Sequence, residues 1–163
     1  MNSLESLTRF LNRVLVWMGG VFLVAMIVLT CANIFLRIVA VPVRGTFELM
    51  GFFGAIAAAF ALGYTQLMKG HIAVDVLIMM FSKRTQRILT FINSFICTIF
   101  FALVAWKISE YAYILYASGE VTETLRIAYY PFTYGVAVGC GILSLTFLTE
   151  FLKSLLRGKE DEK

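Results

Sequence analysis

Charged side chains are missing from four long stretches of this sequence: residues 14–36, 49–68, 88–106 and 127–149 contain no Asp, Glu, Lys or Arg. Over the whole chain, charged residues make up 15% and hydrophobic residues 60%, against roughly 25% and 45–50% in an ordinary soluble domain. That balance excludes a soluble enzyme and a disordered chain. Proline occurs only at Pro42 and Pro131, so no stretch is interrupted at its centre and each can run as an unbroken helix. Cys31, Cys97 and Cys140 fall in three different stretches. An odd, separated set of that kind makes neither a disulfide framework nor a metal site, and reads as small apolar filler. A single histidine, His71, excludes bis-histidine haem ligation and ordinary zinc sites.

What the sequence does have is span length. A hydrocarbon core about 30 Å thick needs roughly 20 residues of helix at 1.5 Å each, and every charge-free stretch is about that long. The prediction is an all-α integral membrane protein, one domain over 1–163, with spans at about 14–36, 49–68, 88–106 and 127–149. The first span is too long for a signal-peptide core, and no small-residue cleavage site follows it. Four spans put both termini on one side, together with the 69–87 loop. That side holds ten of the fourteen Lys and Arg residues, whereas the outer loops 37–48 and 107–126 hold four. The richer side is expected to be cytoplasmic. The net charge of +4 therefore reports orientation and not a nucleic-acid partner. Six of seven tyrosines lie around the second outer loop, where an aromatic belt belongs, and Trp17 and Trp106 sit near span ends.

Helical segments are also expected to extend along the cytoplasmic side. Leu4, Leu7, Leu11 and Val14 share one helical face ahead of the first span, and Glu5, Arg9 and Arg13 another. The apolar run 76–82 is too short to cross a bilayer and fits an interfacial helix, or an extension of the third helix with a basic collar at Lys83–Arg87. Phe151, Leu152, Leu155 and Leu156 oppose Lys153 and Arg157 in the tail.

Within the spans the clearest signal is small residues. Gly51, Ala55, Ala59 and Gly63 recur every four positions, and Gly135/Gly139 repeat the pattern in the last span. Such ridges let helix backbones approach closely in lipid. They fit either packing inside this chain or contact with a separate membrane partner, and they are the candidate membrane contacts. At the outer end Arg37, Arg44 and Glu48 are candidate contacts for an outer-face partner, against the plainer reading of interfacial charges. Thr30, Asn33, Thr65, Gln66, Asn93, Ser94, Thr98 and Ser144 suit hydrogen bonds between helices.

No catalytic, cofactor-binding or metal-ligating set is expected. His71 and Asp75 share an i, i+4 spacing, but no serine or cysteine stands beside them as a nucleophile. With Gly70 they read as a structural motif of the cytoplasmic loop. No acid or base lies inside a span, although such groups usually mark ion pathways. Duplicated halves with broken helices, the mark of alternating-access transporters, are also missing.

The order Asn33-Ile-Phe-Leu-Arg37, Pro42, Glu48-Leu49, Gly70-His71-Ile72-x-Val74-Asp75, Leu125-x-Ile127 and Pro131 resembles the small, DctQ-type membrane subunit of TRAP (tripartite ATP-independent periplasmic) transporters. The resemblance covers nearly the whole chain. It departs at Thr46-Phe47, where the family often has tryptophan before the acid. It implies three parts: a periplasmic substrate-binding protein, a large membrane subunit that moves an organic anion inward on a sodium gradient, and this small subunit enlarging the fixed scaffold. It implies no substrate or sodium ligand here. The expected partners are the large subunit, the binding protein and membrane lipid, in a bacterial inner membrane. The alternatives are an independent four-span exporter, which would be expected to carry a membrane-embedded acid, and a membrane enzyme, which would need more than His71 and Asp75.

Overall fold

Apolar segments fold as helices in lipid because a helix satisfies every backbone N–H and C=O within one segment. The computed structural model describes residues 2–39, 41–68 and 83–160. Its helices are α1 (Asn2–Val39), α2 (Thr46–Leu67), α3 (Lys83–Ser118) and α4 (Tyr130–Glu160). Each contains a segment long and apolar enough to cross a membrane, and the chain is a multi-pass membrane protein of the all-α class.

The helices outrun the charge-free stretches. α1 has 38 residues and α3 has 36, about 57 and 54 Å of helix at 1.5 Å per residue. α3 stays helical from Lys107 to Ser118, so most of the expected outer loop 107–126 is helix. A charged residue does not by itself end a helix. Lys and Glu are good helix formers, and Lys107 and Glu110 pair at 2.7 Å one turn apart. The first connection, expected over 37–48, shortens to the residues between Val39 and Thr46; the end that carries it is labelled outer, and the end with the chain termini inner, after the expected orientation. Gly45 turns it with φ at +73°, and Thr46 Oγ1 donates to Val43 O at 2.8 Å. Pro131 falls in the first turn of α4, where its missing N–H leaves no helix bond unmade.

α2 and α4 form the centre. α1 packs on α2 and touches α4, while α3 packs on α4 alone, and α1 and α3 do not meet among the described residues. Exposure follows this order: the most apolar window of α2 is 39% buried and that of α4 50%, against 11% for α1 and 6% for α3. Leu15, Ile56, Ala59, Phe60 and Ile142 make the core. Phe132 stacks on Phe52 with centroids 4.1 Å apart, and Phe151 at the inner end packs on Phe91 at 4.7 Å.

The apolar Leu4–Val14 face of α1 is only partly its buried face, with Leu11 packed against the core. Leu7 and Val14 are exposed, whereas Thr8, Asn12 and Leu15 are buried. In lipid, apolar side chains gain nothing by turning inward, and the polar ones must. The 76–82 segment lies outside the described residues.

Candidate functional site: two polar seams and the open helix faces

At the outer end, polar side chains fasten loops to helices. Asn33 Oδ1 in α1 accepts from Val43 N at 2.9 Å. Glu48, in the first turn of α2, accepts from two consecutive backbone amides, Thr124 N at 2.8 Å and Leu125 N at 3.1 Å. Those amides belong to a tight loop closed by Thr122 N on Ile127 O at 2.9 Å, with buried Thr122 Oγ1 accepting from Ile127 N at 3.1 Å. Arg126 holds a left-handed φ of 53° within it. The Leu125 side chain occupies the place where a Cβ on Gly45 would stand. Glycine is therefore required at 45 twice over, for its dihedral and for this contact. Asn33, Glu48, Leu125 and Ile127, scattered through the sequence, are thus gathered at one end.

At the inner end a second seam joins α1, α2 and α4. Asn12 is 0% exposed; its Nδ2 donates to Thr8 O at 2.9 Å and to Thr146 Oγ1 at 3.0 Å. Thr146 Oγ1 in turn donates to Ile142 O at 2.9 Å. A Cβ on Gly63 would overlap Asn12 Oδ1, so a glycine α-hydrogen faces that oxygen in its place. One turn on, Gln66 Nε2 donates to Glu150 Oε2 at 2.9 Å. At the end of the seam, the Glu5 carboxylate takes Arg9 at 2.9 Å and Lys153 at 3.1 Å.

The small-residue ridges divide. Ala59 and Gly63 are buried in α2, and a Cβ on Gly139 would lie 2.8 Å from Ala59 O. These three bring α2 against α4 and α1. Gly135 faces Ile56, whose side chain lies 3.5 Å from where its Cβ would be. Gly51 and Ala55 remain exposed. Beside them an open apolar groove between α1 and α2 is lined by Gly20, Gly54, Ala58 and Ala61, among others. Arg37 and Arg44 are exposed at the outer end, whereas both Glu48 oxygens are taken up within the chain. Gly70, His71 and Asp75 lie outside the described residues.

Of the polar span residues, Ser144 Oγ bridges α4 to Thr98 O of α3 at 2.9 Å, and Gln66 bridges α2 to α4. Thr65 Oγ1 instead donates to Ala61 O of its own helix at 2.9 Å. Asn12, Thr146 and Gly19 were not among the expected contacts. Gly19 holds α1 against α2, its Cβ position being 3.3 Å from Phe60 Cβ. Among the described residues no three His, Cys, Asp or Glu side chains gather as metal ligands would. Among the described residues the arrangement fastens helices and loops.

Residues 26–157 match the family model described as "Tripartite ATP-independent periplasmic transporters, DctQ component". No curated protein and no solved structure matches the chain. With most of the sequence inside that match, and the motif residues of the outer end assembled into one seam, the chain belongs to the DctQ family of tripartite ATP-independent periplasmic transporter components.

Proposed function

We propose that this chain is the small scaffold subunit of a TRAP transporter. It supports the large membrane subunit while that subunit moves an organic anion inward on a sodium gradient, after a periplasmic binding protein has delivered the anion. The observation that carries this reading is that the helix order α1–α2–α4–α3 does not close. A lumen between four helices needs contact between the first and last of the ring, and among the described residues α1 and α3 do not touch. With no charged residue in the four stretches either, the described helices enclose no path, and the stretches carry none of the ionisable groups that usually move ions along one. Its open apolar surface covers lipid and a partner.

Gly51 and Ala55, with the adjoining groove, are the contact we assign to the large subunit, since small residues permit close helix approach there. Arg37 and Arg44 are the groups we assign to the periplasmic face, with Glu48 acting indirectly by holding the 122–127 loop in shape. The excess of Lys and Arg on the terminal side supports an inner-membrane placement with both termini cytoplasmic. Gly70, His71 and Asp75 are assigned a structural role in the cytoplasmic loop.

The test is sodium-dependent uptake in the native host. Deleting this chain is expected to abolish uptake of one organic anion from a panel of dicarboxylates, sugar acids and keto acids, and a plasmid copy to restore it. Unchanged uptake across the panel, in a host with no second copy of the chain, would overturn the assignment.

A further inference from the structure

The inner end of α1 combines exposed cations with an exposed apolar track on one face. Arg9 and Arg13 are one turn apart, and both are exposed. A shallow hollow lined by Glu5, Ser6, Arg9, Phe10 and Arg13 lies between them. Advancing by four and then seven residues from Arg13 at 100° per residue keeps Trp17 and Val24 within about 40° of it, and Val28 follows one turn on. Trp17, Val24 and Val28 are 74%, 58% and 61% exposed. Arg13 sits one residue before the first charge-free stretch, at the depth where hydrocarbon gives way to headgroups. Trp17 lies about 6 Å further in, one turn down, where an amphipathic ring is favoured.

We propose that this face binds an anionic phospholipid from the leaflet on the side of the chain termini. Arg9 and Arg13 hold its phosphate, the Ser6 hydroxyl stands beside them as a donor, and an acyl chain runs along Trp17, Val24 and Val28. The charges select the headgroup. Among the described residues Glu5 is the one acid lining the hollow, and its carboxylate already accepts from Arg9 and Lys153. A choline or ethanolamine cation would therefore meet two guanidiniums and no open carboxylate, whereas the neutral glycerol of phosphatidylglycerol meets no such repulsion. Arg13 has no ion-pair partner among the described residues, so its charge is available to the phosphate.

The full-length chain, purified in mild detergent with any membrane partner it retains, would be incubated with phosphatidylglycerol or phosphatidylcholine and its lipid adducts counted by native mass spectrometry. Phosphatidylglycerol is expected to be retained preferentially. Arg13→Gln should weaken that retention roughly fivefold, the effect of one cation near an anionic headgroup, and Arg13→Lys should largely restore it. Arg13→Gln is the primary variant because Arg13 makes no hydrogen bond or ion pair among the described residues; Arg44→Gln at the opposite end should leave the adduct intact. Equal retention of the two lipids, an undiminished adduct in Arg13→Gln, or no adduct because a partner protein covers this face would each overturn the proposal.

Discussion

Gly63 has no side chain because Asn12 fills the space one would occupy. Asn12 is buried and donates both amide hydrogens, to Thr8 O and Thr146 Oγ1, so it cannot swing aside without breaking buried hydrogen bonds. Gly63→Ala is expected to destabilise the chain by about 1–3 kcal/mol, the usual cost of overpacking. Gly51→Ala should be close to neutral, because nothing lies within 4 Å of its Cβ position. Denaturant titration in detergent, followed by circular dichroism, compares the two. Glu48 is the corresponding residue at the outer end. Glu48→Gln removes a charge-assisted acceptor from one of two backbone amides, and is expected to cost about 1–3 kcal/mol locally. The readout is faster proteolytic cleavage within residues 119–129, with global helicity unchanged. Asn12 lies just before the first charge-free stretch and belongs to neither the apolar nor the charged face that the pattern over residues 4–14 picks out, so nothing in that pattern marks it as buried. Its spacing with Thr8, Leu15 and Gly19 at steps of four, three and four was the available sign of a buried face. For Ala59 and Gly139 the sequence signal was real but incomplete, since a small residue marks a close contact without naming the helix on the other side.

At the scale of elements, the number of membrane-length helices follows from the charge distribution alone, because lipid disfavours unpaired charge over about 30 Å. Helix ends do not follow from it, because water tolerates a charged helix as readily as a charged loop. α3 illustrates the difference: its charge-free stretch stops at Trp106, and the helix continues to Ser118, burying Ala112 and Leu115 while Tyr113 and Tyr116 stay exposed. The loop-to-helix pairing at Glu48 was also illegible. It joins residues 76 positions apart through backbone amides, which carry no sequence signature. In a chain whose native cysteines are replaced, Tyr113→Cys is expected to react with a membrane-impermeant maleimide and Leu103→Cys to be protected, although both side chains are exposed in the fold. Protection of both positions would show that the outer turns of α3 stay within the membrane.

For the whole molecule, the helix order explains why so apolar a chain buries so little of itself. The centre is α2 on α4, held by Ala59 against Gly139 and by stacked Phe52 and Phe132, while α1 and α3 keep most of their apolar surface outward. Lipid accepts such surface without cost, and so does a helical partner, so exposure that would aggregate a soluble protein is stable here. Reporter fusions at Lys163 are expected to be active only in the cytoplasm, as the Lys/Arg imbalance requires. The central claim is that the chain is a scaffold and not a conduit. Its most direct test is purification of a tagged copy from native membranes with identification of the associated proteins. The account predicts a large polytopic membrane protein recovered in stoichiometric amount. Recovery of a self-sufficient homo-oligomer, with no second membrane protein, would contradict it.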